Sequence, residues 1–408
     1  MKISIHTMYF LPDFGSAPIL INELASDMAA RGHDVEVVTT LPRQRTPELK
    51  GLFYSRRKMN GFVVKRFWTN TAPHPIAHLV AWNIYTAGTI LNALTLRKRD
   101  ILFLRTPPLQ LGLTGFLAAK LRGVRVVLNV QDIHPDLSIE SGILRNPAAI
   151  RFAQVLEKWV YGVSDRIVVI GDGFLKNLLD KGVPREKLTV IPNWVDTDFL
   201  KPLPKDNLVS RKYGLHNKFV VMYSGTISIS SNRALEHVLE AAAMLKDNKD
   251  VIFVIVGEGL KKAELQKRAG ELGTDNVRFL PFQPYEDLPR LLASSDVLLV
   301  PLDKEKSQMS VPSKLYNFLA AGRPILGLAP PDSEVGALIR GTRCGNVVPP
   351  DDVPRIGEAM LRLKGDPDAR RDMASNARRY AVDNFSRKMI IDRYEALLAS
   401  VSGVESSS

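Results

Sequence analysis

Cysteine is almost absent from this sequence. Cys344 stands alone among 408 residues, so no intramolecular disulfide can form, and a reducing compartment or indifference to oxidation is expected. Seven histidines are scattered without metal-ligand spacing, which argues against a structural zinc site. The chain also lacks a basic region followed by an apolar run at its start. Met1 to His6 alternates like a short strand, so no signal peptide is expected. Long apolar runs are missing too. The most apolar stretch, Ile76 to Leu96, is broken by His78, Asn83, Thr86, Thr89 and Asn92, too polar to span a bilayer but suited to an interface. Apart from a polar tail from Glu405 to Ser408, no low-complexity segment occurs.

Acidic residues are scarce in one long region. Between Arg43 and Arg125 stand 15 Lys/Arg against Glu48 and Asp100, a local net charge of +13 in a chain of net charge +12. The remainder is therefore near neutral. Phe62, Phe67, Trp68, Leu79, Trp82 and Tyr85 are mixed into this basic segment. Basic charge interleaved with apolar side chains fits an anionic membrane surface, where each cation adds about 1 kcal/mol. A solvated face is the plain alternative. Nucleic acid also attracts basic surfaces, but no recognition helix or stacking motif accompanies the charge here, so it is not the expected partner.

What is present is a regular alternation of β-branched runs with helical patterns, the mark of βαβ units and parallel sheets. Strands are expected at Lys2–His6, Asp34–Thr40, Gly61–Trp68, Asp100–Thr106, Val124–Asp132, Asp165–Gly171 and Lys187–Asn193. Asp198 to Tyr213, with Pro202 and Pro204 and no apolar periodicity, reads as a linker. A second series follows at Phe219–Gly225, Val251–Gly257, Val277–Phe282, Asp296–Leu302, Arg323–Ala329 and Cys344–Pro349. Leu235, Val238, Leu239, Ala242 and Leu245 mark an amphipathic helix between its first two strands. The expected fold class is α/β, with two tandem Rossmann-like doubly wound domains, over residues 1–198 and 199–379. A C-terminal helix over 380–404 is expected to pack back on the first. Such sheets bind ligands beyond the carboxyl ends of their strands, which places the expected site in a cleft between facing domains.

Four segments carry candidate chemistry. Gly15 and Ser16, after the first strand, let backbone N–H groups approach a ligand, with Pro18 suited to opening a helix. A tight strand-to-helix turn would look the same. Asp132 and His134 lie past the end of an apolar strand, placed to orient or deprotonate a hydroxyl, or alternatively to cap a loop. A helix opening near Pro312 sets Ser313 and Asn317 on its polar face, flanked by Lys314, with Leu315, Phe318 and Leu319 inward. Its N-terminus suits a diphosphate and Asn317 a ribose hydroxyl, although a polar face is most often only solvated. Tyr223-Ser224-Gly225-Thr226 ends a strand before the helix carrying Arg233, whose guanidinium suits a leaving phosphate.

Several of these segments occur in an ordered series: FLPDFGSAP, LASDMAARGHDVEVVTT, EKWVYGVSDRIVVIGDG, VIPNWVDTDFLKP, VMYSG, IVGEG, VRFLPF and PSKLYNFLAAGRPIL. The series resembles glycosyltransferase family 4 across nearly the whole chain. LNVQDIHPD, PNWVD and PSKLYN make it most similar to bacterial enzymes of O-antigen, capsule and colanic-acid synthesis. The resemblance implies a GT-B fold and a metal-independent, cofactor-free transferase that retains anomeric configuration. A UDP- or GDP-linked sugar would bind the second domain at Gly225, Thr226, Gly257, Phe282, Pro312, Ser313 and Asn317. Asp132, Arg233 and Lys314 would be catalytic, with Gly15, Ser16 and His134 toward the acceptor. A lipid-linked saccharide acceptor implies work at the inner face of the plasma membrane, reached through the basic segment 43–125. The family pattern has two glutamates eight positions apart where Met309 and Asn317 stand, an arginine where Thr226 stands, and a histidine where Gln131 stands. These departures leave two other classes open, a nucleotide-sugar epimerase and a non-catalytic sugar- or lipid-carrier-binding subunit.

Overall fold

The computed structural model describes residues 1–13, 15–42, 49, 52–69, 75–97, 100–140, 142–227, 229–302 and 312–403. The chain divides into two compact units, Met1–Pro192 with Lys388–Ser408, and Asn193–Arg387.

The first unit runs β1 (Lys2–His6), α1 (Ser16–Ala30), β2 (Asp34–Thr40), β3 (Tyr54–Met59), β4 (Phe62–Phe67), α2 (Pro75–Ala93), β5 (Ile101–Thr106), α3 (Leu111–Arg122), β6 (Arg125–Val130), α4 (Asp136–Glu140), α5 (Pro147–Val163), β7 (Arg166–Val169), α6 (Asp172–Asp180) and β8 (Leu188–Val190). Its eight strands lie in the order β3-β4-β2-β1-β5-β6-β7-β8, parallel except for the β3–β4 pair. The interior strands are buried on both faces, which is why β5 reads as an unbroken apolar run with only Arg105 and Thr106 at its end. Strand β3 was not expected from the sequence. Its SRRKM run has no apolar alternation because, at the edge, only Ser55 is buried.

The second unit contains α7 (Leu208–Lys212), β9 (Phe219–Ser224), α8 (Ile229–Met244), β10 (Val251–Val256), α9 (Lys262–Glu271), β11 (Val277–Leu280), α10 (Leu288–Ala293), β12 (Val297–Pro301), α11 (Ser313–Ala320), β13 (Ile325–Leu328), α12 (Glu334–Thr342), β14 (Gly345–Val348), α13 (Val353–Gly365) and α14 (Pro367–Phe385). Six parallel strands lie in the order β11-β10-β9-β12-β13-β14. The final helix, α15 (Arg387–Ser402), returns to the first unit. There Arg31 and His33 meet Glu395 at 2.5 and 2.7 Å, and Tyr394 accepts a hydrogen bond from Asn129 at 3.1 Å.

Three boundaries differ from the sequence expectation. The division falls at 192/193 rather than 198/199. The region from 380 is two helices, broken at Ser386, and only the later one belongs to the first unit. Asp198–Tyr213 is not a free linker. Leu200 and Val209 enter the core of the second unit, Asn207 caps α7, and Arg378 donates to the carbonyls of Thr197, Leu200 and Ala320. Five helical residues give too short a period to read, which hid α7.

Candidate active site

Each sheet has one place where its winding direction reverses. In the second unit it lies between β9 and β12, and loops leaving the carboxyl ends of these strands diverge there to leave a crevice. The loop after β9 is Gly225-Thr226-Ile227, and the loop after β12 leads into α11. The topology therefore brings together residues roughly ninety positions apart.

Lys314, in the first turn of α11, turns inward rather than flanking the helix's polar face. Its Nζ donates to the Tyr223 hydroxyl at 2.8 Å and lies 4.1 Å from that ring's centre. Tyr223 is fully buried and donates in turn to the Thr226 carbonyl at 2.6 Å, so the side chain holds both the cation and the turn. Gly225 has φ +153, and a Cβ there would stand 3.0 Å from the Lys314 Nζ. The glycine thus leaves room for the ammonium at the strand end. Burial lowers the Lys314 pKa to about 7, with no carboxylate facing it among the described residues.

The neighbouring turn is built to the same tolerance. At Gly257, φ +152, a Cβ would lie 2.0 Å from the Gly225 carbonyl oxygen, and at Gly259, φ +153, 2.1 Å from that of Ile227. The Gly225 and Gly257 amides donate to Val256 and Leu280, and Ile227 to Glu258, which locks the two turns together. The Phe282 ring stands beside Gly257 and is 54% exposed, an apolar platform at the crevice edge. Asn317 is half-buried on the second turn of α11, while Pro312 caps the helix and Ser313 is exposed. Arg233 is exposed on α8, and Thr226 is exposed at the turn. Lys314, Gly225, Gly257 and Phe282 are therefore brought together. The position of Met309 lies outside the described residues.

The first unit reverses between β1 and β5. Gly15, φ +125, caps α1, and both it and Ser16 are exposed; α1 opens at Ser16, two residues before Pro18. Across the reversal, Arg105 is buried at the end of β5, facing Asp132 past the end of β6. Burial raises the Asp132 pKa above its ordinary value, against the opposing pull of His134 and Arg105, so the carboxylate is a stronger base than a free one. Burial likewise lowers that of His134, whose Nδ1 lies 3.0 Å from the Ser138 hydroxyl and whose ring meets Trp82 edge-on. Gln131 donates to the Asn129 side chain at 2.8 Å. Arg105 was not found from the sequence. An arginine ending an otherwise apolar strand was the available signal.

Two parallel-sheet Rossmann-like units, each with its polar groups at the winding reversal, define the GT-B glycosyltransferases. Residues 18–194 match the glycosyl transferase 4-like domain and residues 207–380 the glycosyl transferases group 1 family. The chain belongs to these glycosyltransferases. It is 28% identical over 351 residues to WcaI of Escherichia coli (strain K12), assigned as a glycosyl transferase of colanic acid biosynthesis, covering 83% of this chain and 86% of that protein. Among solved structures it is similar to Anabaena HepE in complex with UDP (TM-score 0.74, 17% identity, 98% and 100% coverage). It is also similar to WaaG, a glycosyltransferase involved in lipopolysaccharide biosynthesis (TM-score 0.71, 18% identity, 98% and 100% coverage).

Proposed function

We propose that this glycosyltransferase moves a sugar from a nucleotide-sugar to a polyprenyl-diphosphate-linked saccharide in surface-polysaccharide synthesis, with retention of anomeric configuration and without a metal. The observation that carries the reading is the Lys314 ammonium held against Gly225 by Tyr223. A cation on a buried support, bordered by the glycines of two turns, suits the diphosphate of the donor. Phe282 offers a face for the base and Asn317 a partner for a ribose hydroxyl. Arg233, exposed on α8, is proposed as a second cation for the leaving phosphates. The relatives add support: WcaI is assigned to colanic acid biosynthesis, and HepE was solved with UDP.

In the transfer, the bond between the anomeric carbon and the diphosphate oxygen breaks, and the acceptor oxygen bonds to that carbon on the same face. The electron pair leaves with the diphosphate, where Lys314 and the α11 N-terminus offset the new charge. Asp132 orients the acceptor hydroxyl, whose proton passes to the departing diphosphate, while His134 and the Gly15-Ser16 turn border the acceptor. The acceptor would be met at the inner face of the plasma membrane, with the basic segment 43–125 drawn to anionic lipid. Among the described residues no helix is long and apolar enough to cross a membrane.

The test is the stereochemistry of the product. Transfer to lipid-linked saccharide in the presence of EDTA, followed by NMR of the new linkage, should give undiminished yield and the donor's anomeric configuration. An inverted linkage, or a yield abolished by EDTA, would overturn those two parts of the reading.

A further inference from the structure

Helices α2, α3 and α5 lie side by side on one face of the first unit's sheet. The Thr89 and Thr114 hydroxyls meet at 2.7 Å between α2 and α3, and the Phe116 and Trp159 rings lie 5.2 Å apart between α3 and α5. Tyr85, Leu111, Val160 and Tyr161 are buried beneath these helices, and two glycines let the helices pack closely. A Cβ on Gly88 would strike the Phe67 ring at 2.8 Å, and one on Gly112 would strike Val160 at 2.2 Å. Further large apolar side chains point outward. Leu91 is 66% exposed and Phe152 71%, with Leu113, Leu121 and Val155 also exposed. Val80 and Leu91 share one face of α2, and Phe152 and Val155 lie three residues apart on α5, so the exposed positions recur at helical spacing. Single exposed apolar residues need no explanation, but adjoining stripes over close-packed glycines do.

Charge identifies what covers this face. Across Pro75–Ala93, Leu111–Arg122 and Pro147–Val163 the only carboxylate is Glu157, which is buried and held by Lys181 at 2.6 Å and Tyr161 at 2.9 Å. Lys120, Arg122, Arg151 and Lys158 belong to the same helices. Lys120 lies with its Nζ 5.5 Å from the Phe116 ring centre, cation beside apolar surface. A second copy of the chain would bring two cationic faces together, whereas anionic lipid offers both the charge and the apolar depth this surface matches.

We propose that the outer face of α2, α3 and α5 is an interfacial docking surface for an anionic lipid bilayer. This rests on the reading that the acceptor is lipid-linked, and it moves the contact from the basic segment alone to a face that includes α5. The edge hairpin of β3 and β4, which carries Arg56, Arg57 and Lys58, is a separate surface at the far edge of the sheet.

Co-sedimentation of the full chain with vesicles of phosphatidylglycerol and phosphatidylcholine (1:1), against pure phosphatidylcholine, tests this directly. The wild type should bind the anionic vesicles. The pair Phe152→Glu, Val155→Glu should lower partition at least tenfold, and Arg151→Glu with Lys158→Glu should weaken binding to anionic vesicles without altering the far-ultraviolet spectrum. Charge reversal of Arg56, Arg57 and Lys58 should weaken it by less than either pair. No vesicle binding by the wild type, or unchanged binding by both α5 pairs, overturns the proposal. So does a wild-type dimer in light scattering that the α5 pairs convert to monomer, since the face would then belong to a second copy. Nucleoside diphosphate release measured on the same proteins with detergent-solubilised lipid-linked saccharide as acceptor and no vesicles separates the two readings. Its loss in the wild type speaks against the transferase reading, whereas its persistence without vesicle binding speaks only against the docking face.

Discussion

The Nζ of Lys314 lies 2.8 Å from the hydroxyl of Tyr223, a residue 91 positions earlier, and 4.1 Å from the centre of its ring. A phenol is a poor substitute for a carboxylate. It accepts a hydrogen bond without cancelling the charge, so the ammonium is positioned with no counter-ion among the described residues. That is the condition for binding a doubly anionic group at a strand end.

Lys314→Met should therefore lower kcat by about 10²–10³-fold, the usual consequence of removing one preorganised stabiliser of a developing anion. It should leave the fold intact, since Tyr223 keeps its bond to Thr226. The pH dependence follows from the same group. In the free protein Lys314 loses its proton above about pH 7, so at higher pH the donor must bind together with a proton. The donor KM should rise above pH 7, by up to about tenfold per unit. Initial rates from pH 6 to 9 check this, and the Lys314→Met profile should be flat.

Gly257 tests the geometry of the turns. Gly257→Ala places a Cβ 2.0 Å from a backbone oxygen in a conformation that side chains rarely adopt, and should cost about 3 kcal/mol as well as raise the donor KM. Gly341→Ala, within α12 and with open space around it, should be neutral or stabilising by up to about 1 kcal/mol. Thermal unfolding of the two variants side by side measures the contrast.

Asp132→Asn keeps the size of the side chain but removes the charge facing Arg105. It should lower kcat by about 10²–10⁴-fold while donor affinity, measured by calorimetry, stays unchanged. A rise in donor Kd instead would mean that Asp132 serves the donor rather than the acceptor.

His6 supplies a stability prediction. Burial lowers its pKa from 6.5 to about 3, with Glu36 pulling it upward and Lys65 downward. The unfolded chain therefore binds the extra proton first. Stability should fall as pH drops from 6.5 toward 3, by at most about 1.4 kcal/mol per unit from this group. Glu36 works in the same direction lower down, because its pKa is depressed to about 2 by hydrogen bonds from Asn92, Lys65 and Ser4 against its own burial. Denaturant titrations across this range, with imidazole shifts showing His6 still neutral near pH 5, check the sign.

The fold was largely legible because most interior parallel strands are buried on both faces and write themselves as apolar runs, and with the shorter edge runs thirteen segments sufficed for two sheets. Strand β3 was not, since an edge strand need bury almost nothing. The inward aspect of α11 at Leu315, Phe318 and Leu319 followed from periodicity alone. The destination of Lys314 did not follow. Its contact joins the ends of two strands that are adjacent in the sheet but not in the chain, and periodicity reports only which face a residue occupies. Gly257 was reachable only through the resemblance, because a glycine's close approach to another backbone leaves no trace in sequence spacing. The outward stripe of α5 was missed for a related reason. Apolar positions at helical spacing are read as core, and only the structure shows that Phe152 and Val155 face away from it.

The most direct test of the account is release of nucleoside diphosphate from a panel of nucleotide-sugars, with and without a membrane extract carrying lipid-linked saccharides. The account predicts release from one donor, dependent on the extract and reduced about 10²–10³-fold by Lys314→Met. Donor binding without release from any sugar, or isomerisation of a donor with no acceptor present, would contradict it and point to a carrier subunit or to an epimerase.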